Sequence, residues 1–463
     1  MRFKYPAKAI VLGSLSLAAL LATGCSSMSG SLSANPSGQT GQAFVIGTDA
    51  PAAAAVSFTA TLESVDAIDS KGNSVSLISG TPTVDFARFN GLQTLLDVDN
   101  VPAGTYDSVA ITLGPSVTVG YLDTGTTPPS IKTATFSVST SPISIKLANP
   151  LIIAQTTSGG LRLDFNLHQS IQVTNGQISG VNPTFRISAV YPDDAGAHID
   201  EFVAGVLSVN ASGQQFAIQG PHGRQFTVNV NGQTQWDDNS NLGELTASTI
   251  VQISGKLDKA ESTIDADEVA ILSQDKFFAS GQITYVTPSS GAASSFDLYV
   301  RALEPTSTGL SLGQLATVDL NGNENYYIYW MRNPMTQFLF NSSALVAGQD
   351  VAIGGPASGA ANPSAVTTRR VVLRQWGFEG TVVPGSIDST TGSFKMQVTG
   401  FAGVLIPTPI TVYIGNATDF RDGLSSDSDV STSTRIRVVG LLLKNSTNGN
   451  IVLLARHVDG PDM

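Results

Sequence analysis

Residues 44–191 alternate between apolar and polar side chains, which is the pattern of β-strands that bury one face. The alternation is clear at Leu161, Leu163 and Phe165, whose neighbours Arg162 and Asp164 are charged. Turn-forming sequences separate the alternating segments, and no amphipathic helix pattern interrupts them. About eight to ten short strands in a segment of this length predict a β-sandwich.

An internal repeat with three copies follows the sandwich. Each copy carries a Thr-x-aromatic triplet: Thr234-Gln235-Trp236, Thr336-Gln337-Phe338 and Thr418-Asp419-Phe420. Each then has an apolar segment that runs to a glycine: Leu245 to Gly255, Leu345 to Gly355 and Val430 to Gly440. Each ends in an apolar strand, near Val269–Ile271, Val371–Leu373 and Val452–Leu454. Copies of about five strands each predict small closed barrels of the OB type.

The predicted fold class is therefore all-β, with an N-terminal β-sandwich and three tandem five-stranded, barrel-like repeats of the OB type. The predicted domains are the sandwich at 42–196 and repeats at 200–275, 278–375 and 376–460. Because repeats contact mainly themselves and their neighbours, we expect residues 41–196 and 200–463 to fold when expressed separately.

The aromatic residue of the triplet has two interpretations. Trp236, Phe338 and Phe420 are either equivalent core positions or a ladder of exposed rings for an extended ligand such as a glycan. Exchange of Trp for Phe is typical of a position that fills volume. A ligand ladder would favour Trp and Tyr, whose polar tips form hydrogen bonds. The pattern favours the core.

The charge of the chain limits its partners. The first 24 residues carry three basic residues and no acid, and the remainder carries 21 basic against 36 acidic residues. A body with a net charge of −15 repels nucleic acid and anionic lipid headgroups, so nucleic-acid binding is disfavoured. Attachment to a membrane must therefore come from the N-terminus.

The N-terminus has the pattern of a secretory signal peptide at 1–24: basic residues, then the apolar run 10–22, too short to stay as a membrane span. The junction Leu21-Ala22-Thr23-Gly24-Cys25 resembles a bacterial lipobox, in which the cysteine takes a lipid. The alternative is an ordinary cleaved signal with an incidental cysteine. Cys25 is the single cysteine of the chain and cannot form an internal disulfide, which favours lipidation.

Residues 25–41 hold the lipidated cysteine and a Ser-, Gly- and Asn-rich flexible tether. Several acyl chains on Cys25 would anchor the protein stably in a membrane. By resemblance to Gram-negative sorting rules, Ser26 in place of aspartate implies the outer membrane, with the face left open.

Four short motifs mark residues 42–196: Thr48-Asp49-Ala50-Pro51, Val101-Pro102-Ala103-Gly104-Thr105-Tyr106, Leu163-Asp164-Phe165 and Asn182-Pro183-Thr184-Phe185-Arg186-Ile187. On these motifs the segment resembles a bacterial domain of unknown function found in secreted lipoproteins. The repeat resembles a second bacterial domain of unknown function, which occurs as tandem copies in envelope proteins. The first resemblance implies a fold and an envelope location, the second implies architecture only, and neither implies an activity.

Catalytic and metal-binding patterns are weak. Residues 309–313 match G-x-S-x-G but lack the strand before and the helix after that a nucleophile elbow needs, so we predict a hairpin loop. None of the histidines pairs at a metal-ligand spacing, and we interpret all four as surface or turn residues: His168, His198, His222 and His457. Asp237 and Asp238 are a weak calcium candidate. We predict no cofactor and no catalytic residue.

The densest aromatic cluster is the leading binding candidate. Its rings are Tyr326, Tyr327, Tyr329 and Trp330. In a strand these side chains alternate between two faces, one inside the barrel and one available to a sugar or a protein partner. The alternative is burial of both faces against a neighbouring domain.

The function that these features predict is a lipid-anchored cell-envelope protein with a non-catalytic binding or structural role, whose partner is a glycan or an envelope protein. The alternative is an accessory subunit of an envelope secretion, polysaccharide or transport system. A hydrolase ranks third.

Replacing the anchor residue tests the membrane attachment. In Cys25→Ser the thiol that accepts the lipid is gone, so the chain should incorporate no palmitate analogue and should accumulate as a precursor or as a soluble form. Metabolic labelling followed by membrane fractionation measures both effects. Equal label in the wild type and in the variant would contradict lipidation at Cys25.

Overall fold

The computed structural model describes residues 39–460 with internal gaps. The gaps are 51–54, 90, 124, 175–176, 193, 195–196, 221–222, 237–239, 248, 259–261, 274–275, 289, 305–309, 329–337, 357–364, 399–405, 407, 422 and 431–434. All described residues fall in one compact unit, Gly38–Met463. Strands dominate this part of the chain, as predicted, and its one α-helix is the single turn α1, Leu167–Ser170. No helix in the described part is long and apolar enough to span a membrane.

Residues 40–190 form the predicted sandwich. Its strands are β1 Thr40–Ala50, β2 Ala55–Asp69, β3 Ser74–Ser76, β4 Thr83–Asp85, β5 Thr94–Pro102, β6 Gly104–Asp123, β7 Ser130–Ser137, β8 Ile143–Ile153, β9 Gly159–Asn166, β10 Ile171–Thr174, β11 Gln177–Val181 and β12 Phe185–Val190. One sheet has the order β12-β9-β1-β5, and the other has the order β3-β2-β6-β7, with β4 on β2 and β8 on β6. Side chains from both sheets share one hydrophobic core.

Strand β1 is buried on both faces. Ala43 and Val45 face the core between the two sheets, while Phe44 and Ile46 face a second core that belongs mainly to residues 190–271. The apolar run at 43–46 is typical of a strand covered on both sides. The sandwich therefore packs directly against the first repeat.

The repeats form three barrel-like sheets, which we name barrel 1, barrel 2 and barrel 3. Barrel 1 contains β13 His198–Asn210, β14 Gln215–Gln219, β15 Gln225–Asn229, β16 Gln235–Trp236, β17 Ile250–Leu257 and β18 Thr263–Ser273. Barrel 2 contains β19 Lys276–Thr287, β20 Ser295–Glu304, β21 Leu315–Asp319, β22 Asn325–Ile328, β23 Asp350–Pro356, β24 Ala365–Thr367 and β25 Arg370–Arg374. Barrel 3 contains β26 Trp376–Val382, β27 Ser393–Val398, β28 Ile410–Arg421, β29 Arg435–Lys444 and β30 Ile451–Asp459.

Barrels 1 and 3 close in the same order. Strands β26-β27-β28-β30-β29 form a ring, and so do β13-β14-β15-β18-β17, with the third and last strands parallel in each. In barrel 2 the last strand is split into β24 and β25, which pair with different neighbours. The prediction of barrel-like repeats is confirmed, with this interruption in the second copy.

The repeated threonine of the triplet joins the third strand to the last one. Thr234 Oγ1 donates to the carbonyl oxygen of Ala266 at 2.8 Å and accepts from the backbone N–H of Asn231 at 2.9 Å. Thr418 Oγ1 donates to the carbonyl oxygen of Ala455 at 2.8 Å and accepts from the N–H of Gly415 at 2.9 Å. The repeat in the sequence therefore reflects one hydrogen-bonded closure of the barrel; Thr336 lies outside the described residues.

Two of the three repeated glycines mark a close approach between strands, whereas a Cβ on Gly355 would meet nothing nearer than 3.4 Å. A Cβ on Gly255 would collide with the carbonyl oxygen of Asp265, and a Cβ on Gly440 would collide with that of Leu454. The register shifts next to both glycines, as expected at a β-bulge.

The structure corrects the end of the third repeat. Val438 pairs with Val458 as Ile253 pairs with Val269, so Val458 is the counterpart of Val269. The predicted segment Val452–Leu454 lies earlier in β30. Its Val452 and Leu454 belong to the core of barrel 2 rather than to that of barrel 3.

The four domains share hydrophobic cores. The expectation that residues 41–196 and 200–463 fold separately assumed that repeats contact mainly themselves and their neighbours, and the shared cores correct that assumption. Five sandwich residues lie in the core of barrel 1: Phe44, Ile46, Leu95, Val98 and Val190. Four residues of barrel 3 lie in the core of barrel 2: Leu441, Leu443, Val452 and Leu454. Arg301 of barrel 2 donates to the carbonyl oxygen of Ala87 in the sandwich at 3.4 Å and stacks over Trp376 of barrel 3 at 4.5 Å. Apolar side chains of one domain therefore complete the hydrophobic core of the next.

The aromatic positions of the triplet pack inward. Phe338 is fully buried, and its ring centroid lies 6.2 Å from that of Tyr413 in barrel 3. Trp236 and Phe420 are half-buried and pack against the cores of their own barrels. Their backbones pair with Val269 and Val458, which are equivalent residues of the last strand. The core interpretation agrees with this placement.

We predict that Phe338→Ala destabilises the protein by about 3–5 kcal/mol, because it removes a fully buried ring. Limited proteolysis should reveal new cleavage between residues 280 and 374. Leu339→Ala is the matched control, since Leu339 is the next residue and is 52% exposed. Equal protease resistance and equal melting temperatures for the two variants would contradict the core assignment.

Candidate functional site

Ionisable side chains are concentrated where the sandwich meets barrels 1 and 3. We call this set the junction cluster, and its members are Asp49, Asp164, His198, Asp200, Arg421, Arg437, His457 and Asp459. Strands β1 and β9 supply the sandwich carboxylates, β13 supplies the barrel 1 pair, and β28, β29 and β30 supply the rest. Most of these side chains are buried, so each charge needs a partner to offset its desolvation.

Arg437 is the central cation of the junction cluster. Its Nη2 lies 3.1 Å from Oδ2 of Asp164, and both side chains are almost inaccessible to solvent. Burial opposes the charge on Arg437, yet the carboxylates of Asp164, Asp459 and Asp49 raise its pKa above the ordinary value. The guanidinium of barrel 3 is therefore held by carboxylates of the sandwich.

Asp49 lies beside this pair. Its Oδ1 accepts a hydrogen bond from the backbone N–H of Gly91 at 2.6 Å. Burial raises the pKa of Asp49 to about 7, against the opposing effects of that hydrogen bond and of Arg437. Its carboxyl group is therefore partly protonated near neutral pH.

Two His-x-Asp pairs complete the cluster. The distance from Nδ1 to the aspartate Oδ1 is 3.0 Å both in His198–Asp200 and in His457–Asp459. Burial would lower the pKa of His198, but Asp200 and Asp267 raise it to about 9, so the ring is cationic at neutral pH. Burial likewise opposes ionisation of the two partner aspartates, but the facing histidines hold the pKa values of both below the ordinary range.

The barrel 1 pair also ties the sandwich in place. Oδ2 of Asp200 accepts from the backbone N–H of Gln93 at 3.1 Å, and the N–H of Asp200 donates to the carbonyl oxygen of Gln93 at 2.8 Å. The interpretation of His198 and His457 as surface or turn residues was wrong, because both are buried in strands. The spacing was the missed signal: residues i and i+2 of a strand share a face, so His-x-Asp places an imidazole beside a carboxylate.

A cavity of about 220 Å³ adjoins the cluster, between the sandwich and barrel 3. Its lining residues are Gln169, Arg186, Glu379, Arg435, Ile436, Arg437, Asp459 and Gly460. Arg435 Nε lies 2.5 Å from Oε1 of Glu379, and its Nη2 contacts Nε2 of His168. The cavity thus has polar walls contributed by two domains.

The predicted aromatic site is only partly described. Tyr326 and Tyr327 lie on β22, whereas Tyr329 and Trp330 lie outside the described residues. Tyr326 packs on Phe340 with ring centroids 5.7 Å apart, and Arg370 stacks over Tyr327 at 4.2 Å. Both rings are half-buried, one against the core of barrel 2 and the other beside barrel 1 residues. This placement corresponds to the alternative, in which both faces pack inside the protein.

Several other predicted residues lie outside the described part of the chain: the lipidation residue Cys25 with the signal peptide 1–24, the calcium candidates Asp237 and Asp238, and His222. Among the residues that the structure does describe, no group of three or more His, Cys, Asp or Glu side chains could hold a metal ion.

The G-x-S-x-G segment forms a turn where it is described. Ser311 is exposed, and its backbone N–H donates to Oε1 of Gln314 at 3.0 Å. Gly313 has a positive φ of 77°, and strand β21 follows directly. A strand after the serine, rather than a helix, is the geometry of a hairpin and not of a nucleophile elbow.

Comparison with known families finds two domains of unknown function in the chain, as the sequence predicted. Residues 40–181 match "Domain of unknown function (DUF4382)", and residues 205–270 match "Domain of unknown function (DUF5666)". These ranges correspond to most of the sandwich and of barrel 1. No curated protein matches the chain.

Among solved structures, a chain described as "drosophila Unr CSD456" is similar, with 11% sequence identity over 56% of this chain and 96% of that one. The TM-score is 0.14, so the similarity supports no conclusion about fold or function.

We predict that Arg437→Gln destabilises the protein by about 3–5 kcal/mol, because it leaves buried carboxylates without their cation. Chemical denaturation measures the loss. Adding Asp164→Asn should recover part of it, since the second change removes a stranded charge. Arg224→Gln is the control, because Arg224 lies 3.8 Å from Asp99 in a partly exposed pair. Equal stability of Arg437→Gln and Arg224→Gln would contradict a structural role for the junction cluster.

Proposed function

We propose that this chain is a lipid-anchored protein of the bacterial outer membrane whose β-domains present a non-catalytic binding site. The lone Cys25 after a basic and apolar N-terminal segment supports the anchor. The acidic body supports attachment through lipid rather than through basic patches, and it disfavours nucleic acid as a partner. A glycan or another envelope protein remains the expected partner.

The observation that carries the binding role is the cavity between the sandwich and barrel 3. Ligand sites form preferentially at domain interfaces, with a few polar groups fixed in place. Here the polar groups are fixed by ion pairs, of which Arg437–Asp164 is buried and Arg435–Glu379 lies at the rim. A site whose polar groups are already positioned loses little conformational entropy when a ligand binds.

The pairing of the ionisable groups with one another favours a binding role over a catalytic role. A general acid or base must reach the substrate proton directly or through one water molecule. Asp459 instead pairs with His457, and Asp164 pairs with Arg437. These contacts support a structural and recognition role for the cluster.

Photo-crosslinking in intact cells tests the binding role. A photoreactive residue in place of Gln169, an exposed residue of the cavity lining, should give an envelope adduct when the lipidated full-length protein is irradiated. The same residue in place of Leu312, which is 60% exposed in a turn of barrel 2, is the control and should give none. A glycan adduct would support a glycan binder, and a protein adduct would support the accessory-subunit alternative. Absence of any adduct at 169, or identical adducts at both positions, would contradict a binding site at the cavity.

A further inference from the structure

We propose that the cavity beside the junction cluster binds an oxyanion, either a free sulfate or phosphate or the carboxylate of an acidic sugar. This inference rests on the proposed binding role and specifies its ligand class. The lining contributes three guanidinium groups and two carboxylates. Such an excess of cations contrasts with the body of the chain, whose net charge is −15.

Arginine is suited to this ligand because its planar fork donates two parallel hydrogen bonds to a carboxylate, sulfate or phosphate. Arg186 comes from β12 of the sandwich and Arg435 from β29 of barrel 3, so the two face the cavity from different domains. Arg435 is the accessible group, with a side chain that is 44% exposed. Its contacts to Glu379 and His168 engage Nε and Nη2 of a group that carries five N–H donors.

The cations at the cavity repel one another. Burial lowers the pKa of Arg186, and the nearby charges of Arg437 and Arg162 lower it further, against the opposing carboxylates of Asp164 and Glu379. Burial and Arg435 likewise lower the pKa of His168, against the opposing effect of Glu379. A bound anion would relieve this repulsion, because opposite charge favours the protonated forms.

The volume of the cavity and the composition of its lining limit the size and the chemical class of the ligand. About 220 Å³ is less than the roughly 300–1,000 Å³ of pockets for drug-sized molecules, so the cavity suits one small group or one sugar ring. Among the residues that the structure describes, the lining includes no aromatic side chain on which a neutral sugar could stack. Charge, rather than stacking, is therefore the basis of recognition.

Calorimetric titration of the detergent-solubilised full-length protein tests the proposal. The probes are sulfate, phosphate and glucuronate at constant ionic strength, with glucose as the neutral comparison. We expect saturable binding of at least one oxyanion below about 10 mM, weaker binding at high salt and no binding of glucose. Tighter binding of glucuronate would indicate an acidic sugar, and binding of only sulfate or phosphate would indicate a free anion.

Two variants localise the site. Arg186→Gln and Arg435→Gln should each weaken oxyanion binding about tenfold or more, while Arg224→Gln should bind like the wild type. Melting temperatures confirm that each variant is folded, and having two variants protects the test if one is not. No saturable binding of any oxyanion, or binding unchanged in both variants, would overturn the proposal. The crosslinking at position 169 leaves Arg186 and Arg435 in place and would still report any other occupant, so the two failures can be told apart.

Discussion

A buried guanidinium needs a partner that offsets its desolvation, and the carboxylate partner of Arg437 lies on another domain. Asp164 precedes it by 273 residues and lies in the sandwich, whereas Arg437 lies in barrel 3. Because an unpaired charge at this depth would cost several kcal/mol, the two domains must dock together for either residue to be tolerated. The adjoining cavity, which residues of both domains line, depends on that docking.

The apolar core follows the same plan. Strand β1 gives one face to the sandwich and the other to barrel 1, and β30 divides its side chains between barrels 2 and 3 in the same way. A strand covered on both faces carries a continuous apolar run instead of an alternating one. The repeats are therefore not independent structural units, although their sequences repeat clearly.

Much of the fold could be predicted from the periodicity of the sequence, because the formation of strands and turns depends on local rules. Alternation gave the sandwich strands, and the recurring triplet gave the barrels, since Thr234 and Thr418 make the same hydrogen bonds at the same step of the closure. The docking of the domains was not predicted, although two features of the sequence indicated it. The run at residues 438–443 is too apolar for a one-faced strand.

The second missed signal was the His-x-Asp spacing, because each pair looks ordinary until its burial is known. The partner of Arg437 could not be inferred at all, since nothing local in the sequence relates it to Asp164. For the aromatic candidates Tyr326 and Tyr327, sequence periodicity predicted the strand. Periodicity could not distinguish an exposed face of that strand from a face that packs on a neighbour.

We infer that the sandwich and barrel 3 form one cooperative body through the junction cluster. Native-state hydrogen exchange measures this directly, because amides that open together share one free energy of opening. We predict that the slowest amides of β9 and β29 have the same opening free energy, and that Arg437→Gln lowers both by the same amount. If β9 remains protected while β29 exchanges freely in that variant, the two domains unfold separately, which would contradict one cooperative body.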